Sequence, residues 1–317
     1  MRKATLVSLF VILSLSCVAQ ALLRNYPKKA GTITQKSPST FLKIAAAKKS
    51  KPGLQSLQAK KEAVEPFTIV NRYKRSDQAY TEGFSYYNGL ILESTGAAGE
   101  TRLQWLKLNE DTKTVEILKK FDFPGDYFGE GSALVNVNGF SSIYMMTYTQ
   151  KIAVKVDTGL NSIQKVFQMP SEIQEGWGMT LLPTKPNTVL VSDGTNNIYE
   201  CDVSQDLAIK QTHSFMDPSY GGILHNINEL EYVDGFVYAN RFMYDEIVKL
   251  DMTTNKIVQK YNTENLRSEA TKMIYQMYGR YLAFDEVING IAYNPQKGTF
   301  YLTGKRWPLI FEVKFNI

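Results

Sequence analysis

Five short segments of this 317-residue chain open in the same way, and their spacing constrains the fold more than any other feature. They are Glu82-Gly83-Phe84-Ser85-Tyr86, Glu130-Gly131-Ser132-Ala133-Leu134, Trp177-Gly178-Met179-Thr180-Leu181, Asn228-Glu229-Leu230-Glu231-Tyr232 and Asn289-Gly290-Ile291-Ala292-Tyr293. Their lead residues lie 48, 47, 51 and 61 positions apart. Each is followed by a turn and a strand-like run: Leu90–Ser94, Ile143–Thr147, Val189–Ser192, Phe236–Ala239 and Thr299–Thr303. A period of about fifty residues with several strands per unit is the pattern of a β-propeller. The expected fold is therefore all-β, a five-bladed β-propeller. In such a fold equivalent positions converge on one end of the central channel. Glu82, Glu130, Trp177, Asn228 and Asn289 are then expected to form a ring at that mouth. The plainer reading is that glycines recur at blade starts for structural reasons and the lead residues are incidental.

Glu130 stands out within the repeats. It sits in Asp126-Tyr127-Phe128-Gly129-Glu130-Gly131, a carboxylate between two glycines and after two aromatics. Glycine permits bends and close approach of another group. A solvated loop acid is the commoner origin of such a residue, and it is the repetition that raises Glu130 above it.

Five units of this length occupy residues 66–317. What precedes them differs in character. Residues 1–21 read as a secretory signal, with Arg2 and Lys3 before an apolar run from Ala4 to Val18 and a small-x-small site at Ala19-Gln20-Ala21. An uncleaved membrane anchor is the alternative. The expected location is outside the cell or in the lumen of the secretory pathway, with no stable membrane span after signal removal. Residues 22–65 hold ten Lys or Arg against two Glu, a net charge of +8. The whole chain carries +5 and the signal +2, so residues 66–317 carry −5. The basic character belongs to the N-terminal segment, which is poor in aromatics and is expected to be disordered. Nucleic acid is not expected as a partner, because that basic run lacks interleaved aromatics. Cys17 lies in the signal, which leaves Cys201 alone in a strand-like stretch, as a packed residue rather than a reactive one. One helix is expected, from Glu264 to about Glu286, where Leu266, Ala270, Met273, Met277 and Tyr281 recur at helical spacing. An insertion placed just before Asn289 would sit on the mouth face.

The chemistry is bounded by what the chain contains. There are two histidines, His213 and His225, and no zinc-binding or EF-hand spacing. His225 precedes Asn228 by three residues and either approaches the mouth or is structural. A Ca²⁺ held by carboxylates and carbonyls leaves no spacing signature, so a structural Ca²⁺ in the channel stays open, while no catalytic cofactor is expected. There is no nucleophile elbow. What remains is carboxylate chemistry beside aromatics and amides. Two acids converging on one mouth raise the pKa of one of them, and an apolar wall does the same. Such an acid can act as base and then as acid. Trp177 offers a flat wall or a cation–π face, and Asn228 a donor to a developing oxyanion.

Several segments, taken together, resemble the plant-type glutaminyl-peptide cyclotransferases. They are Tyr80-Thr81-Glu82-Gly83, Leu92-Glu93-Ser94-Thr95-Gly96, Tyr127-Phe128-Gly129-Glu130-Gly131, Gly176-Trp177-Gly178, Ser192-Asp193-Gly194-Thr195, Ile227-Asn228-Glu229-Leu230-Glu231-Tyr232-Val233, Asn289-Gly290-Ile291-Ala292 and Thr303-Gly304-Lys305-Arg306-Trp307-Pro308. The resemblance runs in order from about Phe67 to Val313. It implies a five-bladed propeller that converts N-terminal glutamine of peptides to pyroglutamate with release of ammonia, without a catalytic zinc. It implies Glu130 as the catalytic acid/base, and a pocket in which Phe128, Trp177, Asn228 and Lys305 keep the family's residue. Glu82 stands where the family usually has Gln, Tyr148 and Phe242 where it has Trp, and Tyr80 where it has Phe. The implied partners are peptides or proteins with N-terminal Gln, taken by a monomer. Two other functions fit the same residues: a non-catalytic propeller that holds peptide N-termini, with Glu82 and Glu130 as amine anchors, and a metal-dependent, lactonase-like hydrolase using Glu130, Asn228 and Asn289.

Overall fold

The computed structural model describes residues 66–316, Asp126 apart, together with the backbone but not the side chain of Tyr220. The signal and the basic segment read from the sequence lie outside the described residues. The described residues form one compact unit.

Within it, twenty strands pair as antiparallel meanders. The first meander is β2 (Thr81–Tyr87), β3 (Leu90–Thr95), β4 (Arg102–Asn109) and β5 (Thr114–Asp122). The second is β6 (Gly129–Val137), β7 (Phe140–Thr147), β8 (Ile152–Asp157) and β9 (Ile163–Gln168). The third is β10 (Met179–Leu181), β11 (Thr188–Ser192), β12 (Asn197–Asp202) and β13 (Ala208–Ser214). The fourth is β14 (Ile227–Val233), β15 (Phe236–Arg241), β16 (Glu246–Asp251) and β17 (Lys256–Asn262). The last combines the two ends of the described chain: β18 (Ile288–Asn294), β19 (Thr299–Gly304), β20 (Leu309–Phe315) and, outermost, β1 (Phe67–Lys74). Pairing of β1 with β20 from Phe67↔Phe315 to Lys74↔Leu309 closes the ring and removes a free edge. A single parallel pair, Lys74↔Thr114, joins this last meander to the first. The architecture is β-propeller-like.

The strand-like runs that follow the five lead residues become β3, β7, β11, β15 and β19. The turns have the expected chemistry. Asn88-Gly89 and Asp234-Gly235 have positive φ at both positions, the type I′ geometry that suits a two-residue hairpin. Strands β2, β6, β10, β14 and β18 are innermost, each lying against the next in cyclic order. Their glycines explain how closely. A Cβ on Gly131 would lie 2.3 Å from the Met179 nitrogen, and one on Gly178 2.0 Å from the Asn228 carbonyl oxygen. The inner strands approach too closely for a side chain there, so the repeated glycine is a packing requirement.

Between the meanders lie apolar clusters. Tyr144, Met146, Val189, Tyr199 and Cys201 pack between the second and third, and Leu190, Ile198, Leu230, Val237 and Val248 between the third and fourth. Cys201 is fully buried and free, and burial pushes its thiol up to about 12.

The helix is shorter than its sequence pattern. α1 spans Glu264–Tyr278 and ends at Gly279, which adopts the left-handed conformation and donates its N–H to the Tyr275 carbonyl. Its buried stripe is Leu266, Ala270 and Ile274, with Met273 packed beside it. Met277 and Tyr281, which fit the helical spacing, are exposed. The period continued past a glycine stop, and Arg280–Val287 is a connecting segment rather than helix. No helix among the described residues is long and apolar enough to cross a membrane.

Candidate active site

Each inner strand carries an irregularity where its lead residue sits. In β2 the pairing with β3 jumps between Thr81 and Gly83, which leaves Glu82 without a ladder partner. In β6 it jumps between Gly129 and Ser132, around Glu130. β14 and β18 do the same around Asn228 and Asn289. A bulge re-aims the side chain it carries, and three of the four, Glu82, Glu130 and Asn228, face a common cavity. Trp177 lies just before β10, where its N–H donates to the Ser192 carbonyl at 3.1 Å. The second strands hold the bulges. Ser94 donates to the Glu130 carbonyl at 2.6 Å, and Ser192 to the Asn228 carbonyl at 2.7 Å.

A cavity of about 160 Å³ opens at this end. Its lining is Tyr80, Glu82, Phe128, Glu130, Tyr148, Trp177, Asn228, Phe242 and Lys305. The nine residues singled out in the sequence are thus brought together, from segments up to 225 positions apart. Asn289, the fifth lead residue, does not line the cavity. It sits behind Glu82, donating to Glu82 Oε2 and to the Thr81 carbonyl, both at 2.9 Å.

The polar centre is a lysine and two carboxyls. Lys305 Nζ lies 2.7 Å from Glu82 Oε1, with both side chains buried. It also stands over the Tyr80 and Phe242 rings, at 4.8 and 5.0 Å from their centroids. Burial raises both carboxyls. The two acids respond differently to their neighbours. Glu130 is pushed well above the usual carboxylate range by burial and then by the Glu82 charge, with Lys305 opposing. Glu82 is raised by burial but held back by Lys305 and by a hydrogen bond from Glu130. Lys305 thus favours the charged form of Glu82, and the Glu82 charge favours the neutral form of Glu130.

The walls are aromatic. Tyr80 meets Phe128 edge-on at 6.3 Å, Phe128 meets Tyr148 at 5.6 Å, and Trp177 meets Phe242 edge-on at 5.6 Å. Gly194, at φ +77°, lets the Trp177 ring approach; a Cβ there would lie 2.6 Å from it. Asn228 Oδ1 is buried and has no hydrogen-bond partner among the described residues.

Two acids that the sequence did not single out brace this wall. Trp177 Nε1 donates to Glu175 Oε2 at 3.0 Å, and the Tyr80 hydroxyl donates to Asp285 Oδ2 at 3.0 Å. Neither carries a motif, since a surface-loop acid looks the same before its partner is known. Conversely, some motif residues serve the framework. Glu93 accepts both guanidinium nitrogens of buried Arg75, at 2.8 and 2.7 Å. His225 is exposed and away from the cavity, and His213 is buried against Glu200 and Asn255. Among the described residues no three His, Cys, Asp or Glu side chains converge to hold a metal ion.

Comparison with known proteins shows the family. The glutamine cyclotransferase family profile matches residues 40–315, nearly the whole chain, and begins inside the basic segment. The chain belongs to the glutamine cyclotransferase family. A glutaminyl-peptide cyclotransferase of Arabidopsis thaliana is 27% identical over 249 residues, covering 78% of this chain and 71% of its own. The crystal structure of Myxococcus xanthus glutaminyl cyclase superimposes with a TM-score of 0.64 at 24% identity, covering 79% of this chain and 96% of that one. The latter likeness speaks for the fold.

Proposed function

We propose that this family member is a glutaminyl-peptide cyclotransferase on a five-bladed β-propeller, with each four-stranded meander one blade. It closes N-terminal glutamine of peptides to pyroglutamate and releases ammonia. The observation that carries the reading is the buried carboxyl pair Glu82 and Glu130, beside Lys305, in a cavity walled by aromatic rings.

The chemistry follows from Glu130, which burial and the Glu82 charge push toward its protonated form. The terminal amine, as its free base, attacks Cδ of its own side-chain carboxamide. The new C–N bond forms, and the carboxamide oxygen takes the charge. Collapse breaks the old C–N bond, and the leaving nitrogen needs a proton. Glu130 supplies it and takes one from the attacking amine, so it ends as it began. Glu82 stays ionised beside Lys305 and keeps the proton on Glu130 until it is needed. Asn228 lines the cavity, and its side-chain amide donates to the charged carboxamide oxygen. Phe128, Tyr148, Trp177 and Phe242 exclude water and hold the folded conformer of the glutamine side chain, with Tyr80 beside Lys305. No step calls for a cofactor. Residues 1–21 support a secreted or lumenal protein, and the closed ring of sheets is compatible with a monomer.

The test is ammonia release from a glutaminyl peptide, with and without EDTA, by the wild type and Glu130→Gln. Turnover indifferent to EDTA and reduced roughly 10²–10⁴-fold in the variant is expected, the usual worth of general acid–base catalysis. Loss of wild-type turnover to EDTA would sink the reading in favour of a metal-dependent hydrolase. A folded wild type that binds the peptide and releases no ammonia would be a module for peptide N-termini.

A further inference from the structure

The rim of the mouth is asymmetric. In this topology the connections from second to third strands, and from each meander to the next inner strand, lie on the mouth face. On the side of the first and second meanders these are residues 96–101, 123–128, 148–151 and 169–176. No large apolar side chain is exposed among their described residues; Glu100, Gln150, Lys151, Glu172 and Gln174 are. On the side of the third to fifth meanders the corresponding segments expose Ile223, Met243, Tyr244, Tyr278, Tyr281 and Phe284. The last two are 68% and 65% exposed. Single exposed apolar residues need no explanation, but a one-sided grouping does.

This apolar crescent is continuous with the cavity wall. Asp285, next to Phe284, receives the Tyr80 hydroxyl at 3.0 Å. Met243 directly follows Phe242, whose N–H donates to the Asn226 carbonyl at 2.9 Å. Arg280 donates to Gln78 Oε1 at 3.1 Å, and the Tyr278 hydroxyl to the Ser76 carbonyl at 3.2 Å. These bonds tie the segment after α1 to the strand-entry loop that carries Tyr80. The Tyr281 ring stacks on Tyr275 at 5.0 Å, which limits its freedom before anything binds.

We infer that this crescent is the subsite for the residues that follow the terminal glutamine, and that it selects substrates with apolar or aromatic side chains there. The inference rests on the cyclase reading. On that reading the cavity takes the terminal glutamine, between the carboxyl pair and the aromatic walls. The rest of the peptide must leave across the rim. The crescent offers it apolar surface, and Asp285 and Glu175 at the cavity edge disfavour acidic residues.

The experiment compares kcat/KM for ammonia release from glutaminamide, Gln-Leu-Phe-Ala and Gln-Ser-Asn-Ala. The enzymes are the wild type, Tyr281→Ser/Phe284→Ser, and Phe140→Ser as a control, since Phe140 is exposed on a hairpin at the opposite face. The expected result is a preference of about tenfold for Gln-Leu-Phe-Ala over Gln-Ser-Asn-Ala, the low end for an apolar subsite. The double variant abolishes it without changing glutaminamide turnover, and Phe140→Ser retains it. Equal kcat/KM for the two peptides in the wild type, or a preference that survives the double variant, overturns the inference while the cyclase reading stands. Crescent-dependent sedimentation of the wild type with phosphatidylcholine vesicles, without a peptide preference, would assign the rim to a membrane surface instead. If glutaminamide releases no ammonia, the cyclase reading fails and the subsite with it.

Discussion

Two pairs of buried acids lie along the channel, and they behave differently. At the mouth are Glu82 and Glu130. Farther along β14 are Glu229 and Glu231. Burial raises all four. Yet Glu229 accepts the N–H groups of Phe84 and Ile291, at 3.1 and 2.8 Å. Glu231 accepts the Tyr293 N–H at 2.7 Å and the Thr180 hydroxyl at 3.2 Å. Both acids thus span the channel to other inner strands, and each of their oxygens holds a donor. Glu231 borders a recess of about 120 Å³ with Ser85 and Thr180, and both its oxygens are engaged by other inner strands. The mouth pair instead faces an aromatic cavity and leans on a lysine. A perturbed carboxyl marks a candidate site only when its protons and lone pairs are reachable; the inner pair is a clamp between strands.

That contrast breaks most easily at Glu130. Its change to Gln lowers kcat by roughly 10²–10⁴-fold with the fold intact, whereas Glu229→Gln leaves kcat within about tenfold, short of that range. Comparable losses of kcat in the two folded variants would erase the distinction. Glu229→Ala should act on stability instead. It strips the acceptor from two buried backbone N–H groups, each costing about 1–3 kcal/mol, and urea titration against Glu130→Gln reads the difference.

Glu82→Gln sharpens the comparison at the mouth. Burial aside, the Glu82 charge is the main cause holding Glu130 protonated, with Lys305 opposing it. Without that charge, Glu130 loses its proton at lower pH. The alkaline limb of the kcat–pH profile then moves to lower pH, while an unmoved limb would remove Glu82 from the proton shuttle. The smallest effect belongs to Glu231. Its folded value, about 8, lies above the ordinary 4.5 because of burial. The folded state then binds the extra proton. The stabilisation is complete below about 4.5 and is lost as pH rises through about 8. Glu231→Gln is neutral throughout and should flatten the fall of Tm with pH. Its gain above pH 8 amounts to roughly 2–4 °C per kcal/mol recovered, and a wild-type Tm that does not fall over this window would contradict the assignment.

Much of this molecule was legible in the chain. Glycines after four of the five lead residues, at a period near fifty, reported inner strands packed too closely for a Cβ. Asn88-Gly89 and Asp234-Gly235 reported the hairpins, because only certain residues take positive φ without strain. The cavity lining was legible through the family resemblance, since single residues such as Lys305 or Phe242 carry no local signal. The helix end was misplaced because amphipathic spacing persists through Gly279, whose left-handed conformation stops the helix while the pattern runs on.

The sequence by itself determined the repeat, the strand type and the chemistry available, because these depend on side-chain size, backbone preference and residue inventory along a few positions. Tertiary structure alone decided which acids do what. Glu82 and Glu130 came together beside Lys305 in the cavity, Glu229 and Glu231 became a clamp, and Asn289 a support behind Glu82 rather than a lining residue. Their partners and access depend on the bulges and on groups from other strands, from Thr180, 51 positions before Glu231, to Lys305, 223 positions after Glu82, which local sequence does not encode.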